Sequence, residues 1–455
     1  MAVPVSIMAD MIDNARRTLV VGLGKTGLSV ARYLSRHKVP VAVVDSRTKP
    51  PGLEDLRNEL PVDVALFLGG FEEPAFERAE RIVVSPGVSI QEPSIAAAVA
   101  RGVPVIGDIE LFAQVARAPV VAITGSNGKS TVTTLLSAMA QRAGKMVRTG
   151  GNIGVPALDL ITDSEPDLYV LELSSFQLET THSLRPAAAV VLNISADHMD
   201  RYADLEAYSN AKRIIYRNAA VQVVNADDPL VAALADKDRR QLRFSLGEPA
   251  AGEFGVRDYQ GTRWLARGNE RIMPVSAIRM AGRHNVVNVL AALALGDAIG
   301  LEEEAMIEAI NEFRGLPHRM QLVAEHAGVY WYNDSKGTNV GATLAAIDSA
   351  EGSVVLIAGG DAKGADLEPL AVALQAKGRA AVLIGKDAVR LQSVLQDIVP
   401  VALAADMTQA VALAAGLAQP GDSVLLSPAC ASTDMFRNFE ERGDVFIRAV
   451  RGQIA

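Results

Sequence analysis

Apolar runs of four to seven residues recur along the chain, each closed by a small polar or glycine-containing turn and followed by a stretch of helical period. Thr18-Leu-Val-Val21 runs into Gly22-Leu-Gly-Lys-Thr-Gly27, after which Leu28 to Ser35 predicts a helix. Val39 to Val44 forms the next strand and ends at Asp45, and Arg81-Ile-Val-Val-Ser-Pro-Gly87 repeats the strand-then-glycine pattern. Val120-Val-Ala-Ile-Thr124 leads through Gly-Ser-Asn-Gly-Lys-Ser-Thr131 into a helix over Val132 to Ala140. Tyr169 to Leu178 predicts a buried strand breaking into a polar loop, Ala187 to Asn193 another strand, and Ala207 to Ile215 a helix. Residues 241 to 280 are strand-like and irregular, and a helix opens at Gly282-Arg-His-Asn285 and continues to Leu295. Val329 to Asp334, Val354 to Ala358, Ala381 to Ile384 and Ser423 to Leu426 supply the last set of strands. Strands alternating with helices predict α/β architecture with parallel sheets.

At 455 residues the chain exceeds one ordinary core, and three domains are expected, over 1–107, 108–314 and 315–455. Hydrophobic residues make up 49%, enough for several buried sheets. The formal charge of −9 argues against a mainly electrostatic nucleic-acid binder, although a site can be locally positive in an acidic protein. No apolar run reaches membrane-spanning length, so membrane insertion is not expected. The N-terminus carries Asp10 and Asp13 and lacks a cationic, apolar leader. Cys430 is the single cysteine, which excludes an internal disulfide and a four-thiolate metal site and reads as packing. A cytoplasmic protein with no obligate protein partner is the expectation.

The stretch Thr124 to Thr131 carries the clearest chemistry. Backbone N–H groups at a strand-to-helix turn surround phosphate oxygens, Lys129 adds a cation, and Ser130 or Thr131 can offer a hydroxyl to a bound magnesium ion. Gly125 and Gly128 are separated by two residues where the Walker pattern has four, so the loop is a shortened variant. Gly22, Gly24 and Gly27 form a dinucleotide-like fingerprint, with Asp45 placed to accept from a ribose hydroxyl. That pattern alone leaves a dinucleotide oxidoreductase and a ligand-free structural turn both open. Glu172 and His198 fall near the ends of expected parallel strands, where ligands bind, and could hold a phosphate-bound divalent ion. A surface acid and a helix-starting hydrogen bonder are their ordinary readings. Lys212 on its helix reads, by pattern, as solvated. Asn285 and Asn288 share a helical face and could meet a base or phosphate, or Asn285 could cap the helix.

Taken in order, Thr124 to Thr131, Leu171-Glu-Leu-Ser-Ser-Phe-Gln-Leu178, Asp197-His-Met-Asp-Arg-Tyr202, Gly282-Arg-His-Asn285, Leu316-Pro-His-Arg319, Asn333-Asp-Ser-Lys-Gly-Thr-Asn339 and Ser427-Pro-Ala-Cys-Ala-Ser-Thr-Asp434 resemble the muramyl ligases across almost the whole chain. The resemblance implies a Rossmann-like N-terminal substrate domain, a central P-loop ATPase-like domain and a Rossmann-like C-terminal amino-acid domain. It implies ATP-dependent ligation of D-glutamate to UDP-N-acetylmuramoyl-L-alanine through an acyl phosphate, with magnesium or manganese. The first glycine loop would then hold UDP rather than NAD, through Leu23, Lys25, Thr26, Asp45, Ser46 and Gly87, with Gly151, Asn152 and Gln177 from the middle domain. ATP would meet Gly125, Asn127, Gly128, Lys129, Ser130, Thr131, Asn288, Arg319 and Asp334. The metal would meet Ser130, Glu172 and His198, together with a carbamylated Lys212, which replaces the solvated-lysine reading. Lys129, His198 and Lys212 are implied as catalytic, and Lys336, Thr338, Lys363, Ser432 and Phe439 as the D-glutamate site.

Three other functions compete. A muramyl ligase adding a different amino acid would share the ATP machinery, and Asn333 to Asn339 with Ser427 to Asp434 favour D-glutamate. A folate-polyglutamate ligase is disfavoured, because the N-terminal Rossmann-like module and the later motifs resemble those that serve muramyl substrates. A non-enzymatic nucleotide switch would bind ATP without forming an amide.

Overall fold

The computed structural model describes residues 17–60, 64–280 and 282–454; the leader-free reading at Asp10 and Asp13 lies outside them. Among the described residues the chain forms three sheets in sequence order. The first contains β1 (Thr18–Val21), β2 (Val41–Asp45), β3 (Ala65–Leu68), β4 (Arg81–Val84) and β5 (Val105–Ile106), all parallel, in the order β3-β2-β1-β4-β5. Its strand order reverses beside β1, so the turns after β1 and β4 open onto one crevice.

The central sheet has β6 (Val120–Thr124), β7 (Val147–Gly151), β8 (Leu168–Glu172), β9 (Ala188–Val191), β10 (Val221–Asn225) and β11 (Gln241–Phe244). It is extended by β12 (Phe254–Tyr259), β13 (Thr262–Arg267) and β14 (Glu270–Pro274), in the order β14-β13-β12-β11-β10-β9-β6-β8-β7. The expected strand-like stretch 241 to 280 thus resolves into one parallel strand and an antiparallel meander. β6, β8, β9 and β10 are buried along their whole length, because helices cover both faces. The third sheet contains β15 (Gln321–His326), β16 (Val329–Asn333), β17 (Val354–Gly359), β18 (Gly378–Ile384), β19 (Val401–Leu403) and β20 (Ser423–Leu426), in the order β15-β16-β20-β17-β18-β19. β15 is antiparallel to β16, and the other pairings are parallel.

The helix Asp108–Val115 is the seam between the first two sheets. Leu111 and Phe112 belong to one continuous apolar cluster that runs from Val20, Leu34 and Val43 to Tyr169 and Leu171. Polar bonds fix the same helix: Gly107 N–H donates to the Thr180 carbonyl (3.2 Å), and Glu110 accepts from the His182 (2.7 Å) and Ser183 (2.8 Å) amides.

Three local readings change. The helix after the first glycine turn starts at Lys25, so Lys25 and Thr26 stand in its first turn rather than in a loop. The polar loop expected after Glu172 is a short helix, Ser175–Glu179, because Ser174 accepts from Gln177 N–H while the Gln177 side chain accepts from Ser174 N–H. Gly282, at φ +96°, occupies the N-cap of helix Arg283–Ala298, and Asn285 lies inside it rather than capping it.

Candidate active site

The strand β6 delivers the phosphate loop, and the loop's shape follows from its glycines. Gly128 sits at φ +84°, and a Cβ there would stand 2.4 Å from Asn288 Oδ1, so only glycine lets the loop pass this close to helix Arg283–Ala298. Helix Lys129–Arg142 begins at once, without a side-chain cap, leaving its first N–H groups for an anion. Lys129 Nζ folds back onto the Gly125 and Ser126 carbonyls, both at 2.8 Å. Burial lowers its pKa, and the charges of Glu172 and Asp197 oppose that shift.

Lys212, from helix Leu205–Arg213, shares one of these acceptors. Its Nζ lies 3.0 Å from the Gly125 carbonyl and 4.5 Å from the centre of the Tyr208 ring, and the residue is 1% exposed. Burial first, then the neighbouring Lys129 charge, push its pKa well below the usual lysine value. The solvated-lysine reading from helical pattern is therefore overturned. Burial thus favours the neutral form of this amine over the ammonium.

Glu172 ends β8. Its Oε1 accepts from Asn152 Nδ2 at 2.8 Å, while Oε2 is buried with no hydrogen-bond partner among the described residues. Gly151, at φ +97°, lets the backbone pass here, since a Cβ would stand 2.4 Å from the Glu172 carbonyl oxygen. His198 stands in a tight turn at φ +58°, and burial lowers its pKa, with the Lys363 and Lys129 charges acting in the same direction and Asp197 against. Glu172, with its unpaired oxygen, and the Ser130 hydroxyl line one cavity and are oxygen donors of the kind magnesium takes, whereas His198 lines neither that cavity nor the smaller one and its ring meets Phe176 and Asp197. No group of three or more His, Cys, Asp and Glu side chains among the described residues is arranged to hold a metal by itself. The remaining ligands would therefore come from phosphate oxygens, as is usual for magnesium.

The third sheet reaches across to the phosphate loop. Arg319 donates to Ser130 Oγ at 2.8 Å, and Asn127 and Asn339 side chains bond at 3.3 Å. Asp334 accepts from Ser427 Oγ (2.7 Å) and Met320 N–H (3.1 Å), and burial raises its pKa to about 6. A cavity of about 270 Å³ is lined by Asn127, Gly128, Thr131, Asn288, Arg319 and Asp334, among others. Polar and glycine residues from both sides of the junction face Val287, Met320, Ala342, Ala345 and Ala346, which give the same cavity an apolar wall.

A larger cavity of about 820 Å³ continues from Ser130, Glu172 and Arg319 past Gly151, Asn152 and Gln177 to Lys25, Thr26, Asp45, Ser46 and Gly87. Asp45 Oδ2 accepts from the Leu23 amide at 2.7 Å, and its pKa is lowered: burial opposes ionisation, but bonds from Arg47 and from the Leu23 and Arg47 amides outweigh it. Leu23 contributes through its backbone, its side chain being buried in the first core. Arg47, unforeseen from the sequence, lines this end and grips Asp45 with two nitrogens at 2.8 and 2.7 Å. Its place two residues past the strand-ending carboxylate was the available signal.

The expected amino-acid residues divide. Lys336 and Phe439 line the large cavity, with the Lys336 ammonium 3.8 Å above the Phe439 ring and its pKa lowered to about 8, mainly by burial. Thr338, Lys363 and Ser432 do not line either of these two cavities. Lys363 is exposed at φ +51°, close enough for its charge to act on His198, and Ser432 is buried in a turn closed by the Phe436 amide. Arg442, also unforeseen, is fully buried and donates to Ser335 Oγ (3.0 Å) and to the Ser335 (2.8 Å) and Cys430 (3.1 Å) carbonyls. It welds the loop that carries Lys336 to the Cys430 turn. Cys430 itself is enclosed, and burial pushes its thiol up to about 12, in keeping with a packing role.

A phosphate loop whose hydroxyl is reached from a third sheet, opening onto a long substrate crevice in a first sheet, defines a multidomain nucleotide-dependent ligase. The chain matches the Mur ligase MurD-like N-terminal domain over residues 16–107, the Mur ligase middle domain over 123–296, and the Mur ligase glutamate ligase domain over 318–430. It is 56% identical to the UDP-N-acetylmuramoylalanine--D-glutamate ligase of Nitrosococcus oceani, over 96% of this chain and 97% of the other. It is 53% identical to the protein of the same name in Marinobacter nauticus, over 97% of this chain and 100% of the other. The chain belongs to the Mur ligase family, in its group of UDP-N-acetylmuramoylalanine--D-glutamate ligases. Its three-domain fold, with Rossmann-like outer domains around an ATPase-like centre, is also that of the MurF ligase of Thermotoga maritima in complex with ADP. That match has a TM-score of 0.62 at 16% identity and covers 97% and 96% of the two chains.

Proposed function

We propose that the chain joins D-glutamate to UDP-N-acetylmuramoyl-L-alanine with ATP, giving the UDP-muramyl dipeptide, ADP and phosphate. The observation that carries this reading is the continuous path from the phosphate loop at Ser130 to the glycine turns of the first sheet. A crevice of that extent supports a reading in which an ATP γ-phosphate and the far end of a UDP-linked substrate meet.

The chemistry solves one problem: a carboxylate oxygen is a poor leaving group. A carboxylate oxygen of the alanine attacks the γ-phosphorus and ADP leaves; the D-glutamate amine then attacks the acyl carbon, and the C–O bond to phosphate breaks. Lys129 moves from the Gly125 and Ser126 carbonyls onto phosphate oxygens, and the loop amides hold the same charge. Arg319 keeps Ser130 oriented from the third domain. Ser130, Glu172, His198 and carbamylated Lys212 would hold magnesium or manganese, which offsets phosphate charge when bound. Asn288 and Asp334 face the nucleotide beside Asn127, Gly128 and Thr131. Asp45, Ser46, Lys25, Thr26, Gly87 and the Leu23 backbone bind the UDP portion, while Gly151, Asn152 and Gln177 reach the sugar side. The Lys336 ammonium recognises a carboxylate of D-glutamate and Phe439 supports it, whereas Thr338, Lys363 and Ser432, which line neither cavity in this arrangement, join the amino-acid site only when the third domain moves relative to the other two.

Domain limits at 1–107, 108–314 and 315–455 and a cytoplasmic location complete the proposal. Among the described residues no helix is long and apolar enough to cross a membrane. The route is tested with heavy oxygen in the alanine carboxylate: verified turnover should deliver that label to inorganic phosphate. Product formation without label in phosphate would refute the acyl phosphate.

A further inference from the structure

Arg201 lies in the turn that carries His198, closed by the Arg201 and Tyr202 amides donating to the His198 carbonyl at 2.9 and 3.1 Å. Its guanidinium leaves the middle domain and enters the first. One terminal nitrogen donates to the Pro86 carbonyl at 2.9 Å, and the other to the Val88 carbonyl at 3.2 Å and to Glu179 Oε2 at 3.3 Å. The two carbonyls flank Gly87, so one side chain grips both sides of that loop. The loop is itself tied to the first glycine turn, since Ser85 Oγ donates to the Gly22 carbonyl at 2.8 Å.

At its other face the guanidinium lies 4.1 Å from the centre of the Phe176 ring. Phe176 contacts the His198 ring at 4.8 Å and stacks on Tyr202 at 5.9 Å, and it precedes Gln177 in the chain. From the His198 turn, Arg201 therefore touches two other structures, the Gln177 helix through Phe176 and Glu179 and the Gly87 loop through Pro86 and Val88, and that loop is tied in turn through Ser85 to the first glycine turn. Only 16% of the side chain is exposed, so its bonds are little diluted by water. A planar fork of donors can serve two carbonyls and a carboxylate together, which a single ammonium on a flexible stem cannot do as well.

We infer that Arg201 is a positioning residue that couples the metal and phosphate turn of the middle domain to the UDP-substrate loop of the first domain, sharpening affinity for the UDP-linked substrate. This rests on the reading of the Gly87 crevice as the UDP site. The direct bonds that Arg201 makes outside the middle domain go only to the Gly87 loop, while it reaches His198 only through Phe176, so its loss falls first on the UDP-linked substrate.

The test measures KM for UDP-N-acetylmuramoyl-L-alanine, ATP and D-glutamate in Arg201→Ala and Arg201→Lys, with calorimetric binding of the UDP substrate to the free enzymes. Losing two backbone acceptors and a carboxylate partner should raise KM and Kd for the UDP substrate by about tenfold or more in Arg201→Ala. The KM for ATP should stay within about twofold, a change that falls inside the scatter of remote substitutions. Arg201→Lys should fall between, and it carries the comparison if the alanine variant does not fold. Wild-type enzyme that does not bind the UDP substrate would remove the reading of the crevice. Wild-type binding with an unchanged Kd in the folded variant, or equal rises in all three KM values, would overturn the role given to Arg201 alone.

Discussion

Asp108, the first residue of the helix that joins the first two domains, is a carboxyl with little to stabilise its charge. Its Oδ2 accepts from Gln177 Nε2 at 3.0 Å, while Oδ1 is buried without a partner among the described residues. Burial raises its pKa from 3.8 to about 6, against the opposing bonds from Gln177 and the backbone. The folded protein thus binds a proton that the unfolded chain releases near pH 4. The group's favourable contribution is complete below that pH and is lost as pH rises through about 6. The displacement from 3.8 to about 6 corresponds, at about 1.4 kcal/mol per pH unit, to about 3 kcal/mol by pH 8. Asp108→Asn removes the titration and keeps an oxygen for Gln177. The stability of the variant relative to the native protein should therefore climb by about 2 kcal/mol between pH 4.5 and pH 8. Urea unfolding followed by Trp264 in the central sheet, in a Trp331→Phe background, reads the difference at each pH, and the titration of all other groups cancels in it. A difference that stays flat across this range would show that Asp108 is ionised in both states, and the reasoning from burial would be wrong.

Gly128→Ala forces a side chain at φ +84° and to within 2.4 Å of Asn288 Oδ1. The left-handed backbone alone costs about 1–2 kcal/mol, so an ATP titration should show KM raised by about tenfold or more; an unchanged value would remove the close approach. Glu172→Gln takes the charge from the unpaired Oε2 and should move the magnesium dependence of turnover upward by about tenfold or more, whereas an identical magnesium curve would take Glu172 out of the metal set. Enzyme stripped of dissolved carbon dioxide should lose activity and regain it on adding labelled bicarbonate, with a carbamate signal in the NMR spectrum that Lys212→Ala lacks. Full activity without that signal would dismiss the carbamate.

The fold was legible wherever its cause is local. Apolar runs closed by glycine turns gave the strands that end at Val21, Thr124 and Glu172, and the loop from Gly125 to Thr131 announced its chemistry through its own residues. Lys212 was misread by pattern because helical period records the average face, whereas this side chain is drawn inward by the Gly125 carbonyl and the Tyr208 ring. The helix at Ser175 was missed because five residues are too few for a periodic signal, although the Ser174 to Gln177 capping pair was present in the sequence. Arg201, Asp108 and Arg442 stayed hidden for another reason. Their partners are 113, 69 and 107 residues away along the chain, so no window of local sequence contains the contact.

The sealed thiol of Cys430 leaves the outside of the protein without a reactive sulfhydryl. Reporter cysteines placed one on each domain could be tagged with fluorophores while the native sulfur stays protected, and the distances between the three bodies followed through a turnover. Slow reaction of Cys430 itself with a thiol reagent would, in the same sample, count how often the amino-acid domain breathes open.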